Sequence, residues 1–181
     1  MNVVEAIKNK SEINKMKKCL QDRERLMFVI GINSGLRISD ILSLKVSDVL
    51  DEKGKAKDRI VMYEKKTDKR KSFPLNKAIA TELKKVKYVS MDSFLFPSQK
   101  GGAISRVQAY RLLNAAAKRA ELGYEIGTHS LRKTFGYHAI KAGTPVHIVQ
   151  KLLNHSSERE TLRYIGITQE VMDDVYVNMN L

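Results

Sequence analysis

Cysteine is almost absent from this sequence, and long apolar runs are missing altogether. The 181 residues contain a single cysteine, Cys19, which excludes a disulfide framework. With one cysteine and four histidines, no Cys/His spacing typical of a structural zinc site occurs. No apolar run approaches the roughly 20 residues of a membrane-spanning helix, and no signal-peptide core follows Met1. These absences predict a protein of the reducing cytoplasm that has no membrane partner.

Acidic residues are scarce relative to basic ones. The chain has 33 Lys and Arg against 20 Asp and Glu, which gives a net charge of +13 and a pI near 9.8. Residues 1–90 carry 22 of the basic and 12 of the acidic side chains, a net charge of +10. Such a surface binds phosphate backbones without regard to sequence and in a salt-dependent way. Charge alone leaves open a basic protein that binds no nucleic acid.

The pattern of apolar residues predicts an α+β fold that is mainly helical. No linker, repeat or low-complexity segment divides the chain, which indicates one domain. Residues 59–64 and 71–75 alternate like strands, and the polar residues 65–70 between them predict a hairpin turn. Residues 46–50 add a third strand, so that we expect a small three-stranded antiparallel sheet.

Capping signals place several reactive side chains near helix starts. Thr128 is predicted to cap a helix whose first turns carry His129 and Arg132 on one face. Ser157 and Glu160 form a capping-box pair, which places the residues after them on another short helix. That helix carries Tyr164, and the chain enters it through a loop that contains His155.

Two imidazoles, a guanidinium and a phenol are suited to phosphate chemistry. A guanidinium neutralises phosphoryl charge through a planar fork of donors. Imidazoles transfer protons near neutral pH, and a phenol oxygen can act as a covalent nucleophile. Because the ordinary pKa of tyrosine is about 10, that nucleophile needs a base or a strongly cationic site. If the four groups converge, the protein cuts or joins a phosphodiester.

Short motifs in a fixed order resemble the catalytic domain of the tyrosine recombinase (phage integrase) family, from about Lys10 to the C-terminus. His129-Ser-Leu-Arg132 matches the His-x-x-Arg box of the family, and Tyr164 follows His155 at the spacing of nine residues expected of the nucleophile. The other two motifs are the segment of the first catalytic arginine, Gly35-Leu-Arg-Ile-Ser-Asp40, and that of the catalytic lysine, Lys66-Thr67. The residues that the resemblance assigns to the site are Arg37, Lys66, His129, Arg132, His155 and Tyr164.

The resemblance implies a site-specific DNA recombinase of the integrase or invertase type. Tyr164 would cleave a strand through a 3′-phosphotyrosine intermediate, which conserves the bond energy so that neither ATP nor another cofactor is needed. Arg37 and Arg132 would stabilise the transition-state charge in place of a divalent metal. His129 is the candidate base, His155 a donor to the phosphate and Lys66 the acid for the leaving 5′ oxygen.

The same resemblance implies the partners and the domain organisation. We expect double-stranded DNA as the partner, a tetramer on two DNA sites during recombination with a monomer open in its absence, and accessory recombination factors. The host would be a bacterial cell, phage or mobile element. Residues 1–20 are expected to be a lead, 21–166 the catalytic domain, and 167–181 a helical tail that is a candidate for exchange with a neighbouring protomer. The chain resembles either a short form that lacks the N-terminal core-binding domain or a catalytic domain taken from a longer protein.

Other functions remain open at this point. A type IB topoisomerase shares the Arg, Lys, Arg, His, Tyr chemistry, and a non-catalytic DNA-binding or regulatory protein could retain the fold. Individual residues also have structural explanations. Arg37 could pair with Asp40, His155 could cap a helix C-terminus, and either neighbour of Lys66, Lys65 or Lys69, could replace it. Asn154 stands where the family's Leu-Gly-His-Ser box has glycine.

Overall fold

The computed structural model describes residues 4–64, 70–167, 173 and 176–179. Helices dominate it, as the sequence predicts. In chain order the helices are α1 (Lys10–Cys19), α2 (Asp22–Ser34), α3 (Ile38–Ser43), α4 (Val46–Val49), α5 (Lys77–Leu83), α6 (Arg106–Arg119), α7 (Thr128–Lys141), α8 (Val146–Leu153) and α9 (Glu158–Ile165), with the strands β1 (Arg59–Tyr63) and β2 (Arg70–Pro74) between α4 and α5.

The described sheet has two strands, so the predicted third strand over residues 46–50 is wrong. β1 and β2 pair antiparallel, with Ile60 opposite Phe73. Residues 46–49 instead form the short helix α4, because Val46 and Val49 lie three residues apart and both point into the core. The side chain of Asp48 accepts a hydrogen bond from the backbone NH of Lys45 at 2.7 Å and so caps this helix.

The main core surrounds α2, a helix that is buried along most of its length. Residues 26–31 of α2 are all buried, and α2 packs against both α5 and α7. A Cβ at Gly31 would lie 2.6 Å from a side-chain carbon of Leu131, so the glycine allows α2 and α7 to approach closely. This contact fixes α7, which carries the His-x-x-Arg box, against the centre of the domain.

A second, smaller core holds α8 and α9 against α7. It consists of buried side chains that include Val149, Leu153 and Ile165. At Gly136 of α7, a Cβ would lie 2.6 Å from Ile165 and 3.2 Å from Leu153. The absence of a side chain at this position therefore brings α9, with Tyr164, close to the helix that bears His129.

The segment predicted as a lead takes part in the main core. Ile7, Ile13 and Met16 are buried there. The backbone NH of Ile7 donates to Thr134 Oγ1 at 2.8 Å, and its carbonyl lies 2.9 Å from His138 Nε2, so the segment crosses α7. The tail predicted over 167–181 falls mostly outside the described residues. Within the described part of the chain, no helix is long and apolar enough to cross a bilayer.

Candidate active site

Arg132 lies in the second turn of α7 and joins three helices. Its side chain is almost fully buried, with the residue 4% exposed. The guanidinium donates one hydrogen bond to Gly35 O, at 2.6 Å, and another to Leu153 O. Gly35 ends α2 with φ 62°, a conformation that favours glycine, and Leu153 ends α8. Arg132 therefore connects the C-termini of α2 and α8 to α7.

Arg37 is held at the start of α3 by a buried carboxylate. Its Nη1 donates to Glu64 Oε2 at 3.0 Å, and Glu64, which follows β1, is 4% exposed. Glu64 is a partner that the sequence did not indicate. Asp40, the partner considered from the sequence, is fully buried on α3. Its carboxylate and that of Glu64 favour the charged form of Arg132, whose pKa is lowered mainly by burial.

The phenol of Tyr164 meets the imidazole of His129. Tyr164 lies near the end of α9, and its Oη is 3.2 Å from His129 Nδ1 on α7. The Nζ of Lys133 lies 5.3 Å from the centroid of the Tyr164 ring, within the range of a cation–π contact. An imidazole and an ammonium group of α7 thus converge on the phenol of α9.

His155, in the loop between α8 and α9, also contacts the ring of Tyr164. Its ring packs edge-on against the Tyr164 ring, with centroids 4.9 Å apart. Its Nδ1 lies 3.1 Å from Thr161 Oγ1, a contact that orients the imidazole. Asn154, before it, has φ 50° and ψ 49° and serves as the left-handed C-cap of α8. Asparagine tolerates this conformation, so it can replace the glycine of the family motif.

The surroundings favour neutral imidazoles and a neutral phenol. Burial lowers the pKa of His129, and the charges of Arg132, Lys133 and Arg37 lower it further. Burial also lowers the pKa of His155, with added effects from Arg132 and Arg37 that the carboxylate of Glu160 opposes. For Tyr164, burial raises the pKa, and the two guanidinium groups act against that increase. A neutral His129 can accept a proton, which fits the base predicted for it.

A cavity of about 440 Å³ opens beside these groups. It is lined by Arg37, Ile38, Ser39, Arg106, Thr128, His129 and Arg132. Three of the predicted site residues therefore share one cavity, which is large enough for a phosphate and part of its sugar. Arg106, the first residue of α6, adds a further guanidinium to the wall.

Five of the six predicted site residues are brought together, and the sixth lies outside the described residues. Arg37, His129, Arg132, His155 and Tyr164 occupy one region, while Lys66 falls in the undescribed segment 65–69. The sequence did not indicate three charged residues beside the site: Arg106, Glu64 and Lys71. A capping serine before Arg106 marked only a helix start, and the other two belong to the hairpin.

The sequence is similar to known integrases and recombinases. A model of the phage integrase family matches residues 2–170. The chain is 39% identical over 181 residues to a probable integrase/recombinase, YoeC, of Bacillus subtilis (strain 168), covering 97% of each chain. It is 32% identical to tyrosine recombinase XerD of Corynebacterium glutamicum, covering 85% of this chain and 51% of that protein. The chain thus spans nearly all of YoeC and about half of XerD.

The fold also matches solved structures. The crystal structure of XerA recombinase superposes with a TM-score of 0.76 at 18% identity, covering 98% of this chain and 65% of that one. At this level of identity, the match concerns the fold alone. The mainly helical domain with its small antiparallel sheet is therefore that of a tyrosine recombinase catalytic domain.

Proposed function

The chain belongs to the phage integrase family of tyrosine recombinases, and on that basis we propose that it recombines DNA at specific sites through a phosphotyrosine intermediate at Tyr164. The observation that carries this proposal is the 3.2 Å contact between Tyr164 Oη and His129 Nδ1, next to two guanidinium groups and a second imidazole. A packing tyrosine would need no base and no cationic surroundings.

In the cleavage step, the phosphoryl group is transferred from the 5′ oxygen of one nucleotide to the phenol oxygen of Tyr164. Tyr164 Oη attacks the scissile phosphorus and its proton passes to His129, while the P–O5′ bond breaks and the leaving 5′ oxygen takes a proton from the proposed acid, Lys66. The products are a 3′-phosphotyrosyl link and a strand with a free 5′-hydroxyl. Rejoining runs the same steps backwards with a new 5′-hydroxyl, and therefore needs neither ATP nor a metal ion to supply energy.

Arg37 and Arg132 stabilise the charge that develops on the non-bridging oxygens. Both are preorganised before DNA binds, Arg37 by Glu64 and Arg132 by two backbone carbonyls. Such fixed donors cost no reorganisation during the reaction, which is why they lower its barrier. His155 is the proposed donor to the phosphate through Nε2, which carries a proton when Nδ1 accepts from the Thr161 hydroxyl or when DNA phosphate favours the protonated imidazole.

The pH dependence of cleavage tests the role of His129. The cleavage rate is expected to fall on the acid side of its pH profile as His129 becomes protonated. Because the site lowers the pKa of His129, we expect the midpoint of this acid limb to lie below 6.5, the ordinary pKa of histidine. Lys133→Gln removes one of the cations responsible, so it is expected to move this limb to higher pH. Lys8→Gln is a matched control: Lys8 Nζ also lies over a tyrosine ring, 5.5 Å from the centroid of Tyr137, but its charge is not among those that lower the pKa of His129. An acid-side midpoint at the same pH in the wild type and in Lys133→Gln would contradict this effect.

Lys66 is the proposed acid that protonates the leaving 5′ oxygen. We expect Lys66→Ala to slow cleavage of normal DNA by about 100-fold or more. A substrate with sulfur at the bridging 5′ position is expected to restore the rate, because a thiolate leaves without a proton. Lys65→Ala and Lys69→Ala serve as neighbouring controls. Lack of rescue in Lys66→Ala, or rescue in a neighbour instead, would reassign the acid.

Double-stranded DNA is the proposed partner, bound through the basic surface. The net charge of +13 provides affinity for the backbone, and Arg106 lies where it can contact a phosphate near the scissile one. We further propose a tetramer on two DNA sites during recombination, accessory recombination factors and a cytoplasmic setting. We also propose a catalytic domain over residues 21–166, against which the lead packs. Exchange of the tail between protomers would join such a tetramer.

A nicked suicide substrate tests the proposed function. Duplexes enriched by the protein from a random pool supply the binding site, and the reaction runs in EDTA. We expect a covalent protein–DNA band that forms without metal. Binding without any adduct would favour a non-catalytic DNA-binding protein, and relaxation of supercoiled DNA without exchange between sites would favour a type IB topoisomerase. Failure to bind DNA at low salt would contradict all three.

A further inference from the structure

Glu64 is a buried carboxylate between two cations at the edge of the site. It directly follows β1 and is 4% exposed. Its Oε2 accepts a hydrogen bond from Arg37 Nη1 at 3.0 Å, while its Oε1 lies 3.7 Å from Lys71 Nζ on β2. A buried carboxylate is unfavourable unless charges and hydrogen bonds compensate it, and here both partners do so.

Lys71 extends the same contacts to α8. Its Nζ donates to Leu152 O at 3.0 Å, and the next carbonyl, that of Leu153, accepts from Arg132. The two guanidinium groups and the loop to His155 are therefore linked through the hairpin. Glu64 is the anion that joins Arg37 to Lys71 in these contacts.

The charge of Glu64 also opposes repulsion among the cations. Burial lowers the pKa of Lys71. The Glu64 carboxylate, and to a smaller extent that of Asp40, acts against that decrease, while Arg132 and Arg37 reinforce it. Without this carboxylate, Arg37 would face Arg132 and Lys71 with less compensation before DNA arrives. The Arg37 guanidinium would then turn towards solvent. The Arg37 side chain already contacts solvent, since it is 23% exposed.

We propose that Glu64 is a positioning residue for strand cleavage, which holds the Arg37 guanidinium in the orientation that meets the scissile phosphate. This inference rests on the proposed function. Glu64 itself touches no reacting atom. It fixes Arg37 through Oε2 and the neighbouring strand through Lys71. The guanidinium groups that bind the phosphate are therefore in place before the substrate binds.

Glu64→Gln tests this role because it removes the charge and keeps the size. We expect the cleavage rate within the bound complex to fall about 10- to 100-fold, as for a misplaced catalytic group, with DNA affinity changed less than about 2-fold. Glu64→Asp keeps the charge and is expected to recover part of the rate.

Glu82→Gln is the matched control. Glu82 on α5 also bridges an arginine and a lysine, with Arg25 Nε at 2.8 Å and Lys85 Nζ at 2.9 Å. Arg25 lies in the first turn of α2, at the opposite end of that helix from Gly35, which contacts Arg132. We expect Glu82→Gln to change the thermal midpoint by an amount similar to Glu64→Gln but to leave the cleavage rate unaltered. Equal loss of cleavage in both variants would mean that Glu64 serves stability alone.

Two readouts separate Glu64 from Arg37 and from the proposed function. In an Arg37→Ala background, Glu64→Gln is expected to cause no further loss of rate, whereas independent losses that multiply would overturn the inference. In ¹⁵N NMR, the Arg37 guanidinium is expected to rotate slowly in the wild type and freely in Glu64→Gln, with or without cleavage. Unchanged rotation would also overturn it, while a wild type that forms no adduct would overturn the proposed function instead.

Discussion

Replacing Tyr164 by phenylalanine is expected to abolish covalent attachment to DNA and to slow strand cleavage by roughly 10⁴-fold or more. The change removes one oxygen, the atom that lies 3.2 Å from His129 Nδ1. The edge-on packing against His155 involves the ring and is retained, so folding and DNA binding should persist. The assay is the covalent band on a nicked substrate, with filter binding or fluorescence anisotropy for affinity.

Two other tyrosines provide controls for this result. Tyr176 is 83% exposed in the tail, and Tyr110 is 40% exposed on α6. Tyr176→Phe and Tyr110→Phe are expected to retain the covalent band, although DNA affinity can change in the latter because α6 also carries Arg106. Persistence of the band in Tyr164→Phe would assign the nucleophile to another residue.

Arg132→Lys is expected to reduce cleavage by about 100- to 1,000-fold, even though the positive charge remains. An ammonium cannot reproduce the planar fork that serves Gly35 O, Leu153 O and a phosphate together. A buried carbonyl that loses its donor costs about 1–3 kcal/mol, so the free energy of unfolding should fall as well. Single-turnover cleavage and chemical unfolding measure the two effects separately.

A second partly buried arginine separates these effects. Arg25 also donates to a backbone carbonyl, that of Leu20 at 3.2 Å, and to Glu82. Arg25→Lys is therefore expected to lower stability and to leave cleavage unchanged. A substrate with an uncharged methylphosphonate at the scissile position should reduce the difference in cleavage rate between Arg132→Lys and the wild type, because less negative charge needs stabilising. If the difference in cleavage rate is the same on both substrates, Arg132 has only a structural role.

Local sequence signals predicted the elements that carry the reactive groups. Ser157 caps α9 through the NH of Glu160, as expected, whereas α7 is capped at Gly127 and not at the predicted Thr128. The strands of the hairpin were also recognised from alternation. The third strand was wrong because Val46, Val49 and Leu50 fit a helical spacing as well as an extended one, and tertiary contacts decided between the two.

Contacts between distant parts of the chain were beyond local signals. Arg37 and Glu64 are 27 residues apart, and Arg132 bonds to Gly35 across 97 residues. No periodicity or spacing reports such pairs, which depend on how helices pack. The motifs named the reactive residues, while the carboxylate that holds Arg37 and the guanidinium of Arg106 became visible only with the fold.

The central claim concerns one covalent bond, and mass spectrometry of the trapped adduct tests it most directly. The wild-type protein is trapped on a nicked duplex, the DNA is trimmed with nuclease, and the protein is digested with trypsin. Cleavage after Arg163 gives a C-terminal peptide of residues 164–181, and cleavage after Arg159 alone gives residues 160–181. Both peptides contain Tyr164 and Tyr176. Fragmentation is expected to place the nucleotide on Tyr164 as a 3′-phosphodiester. A nucleotide on Tyr176 or on any other residue, or cleavage that leaves no tyrosyl-linked nucleotide, would contradict the claim.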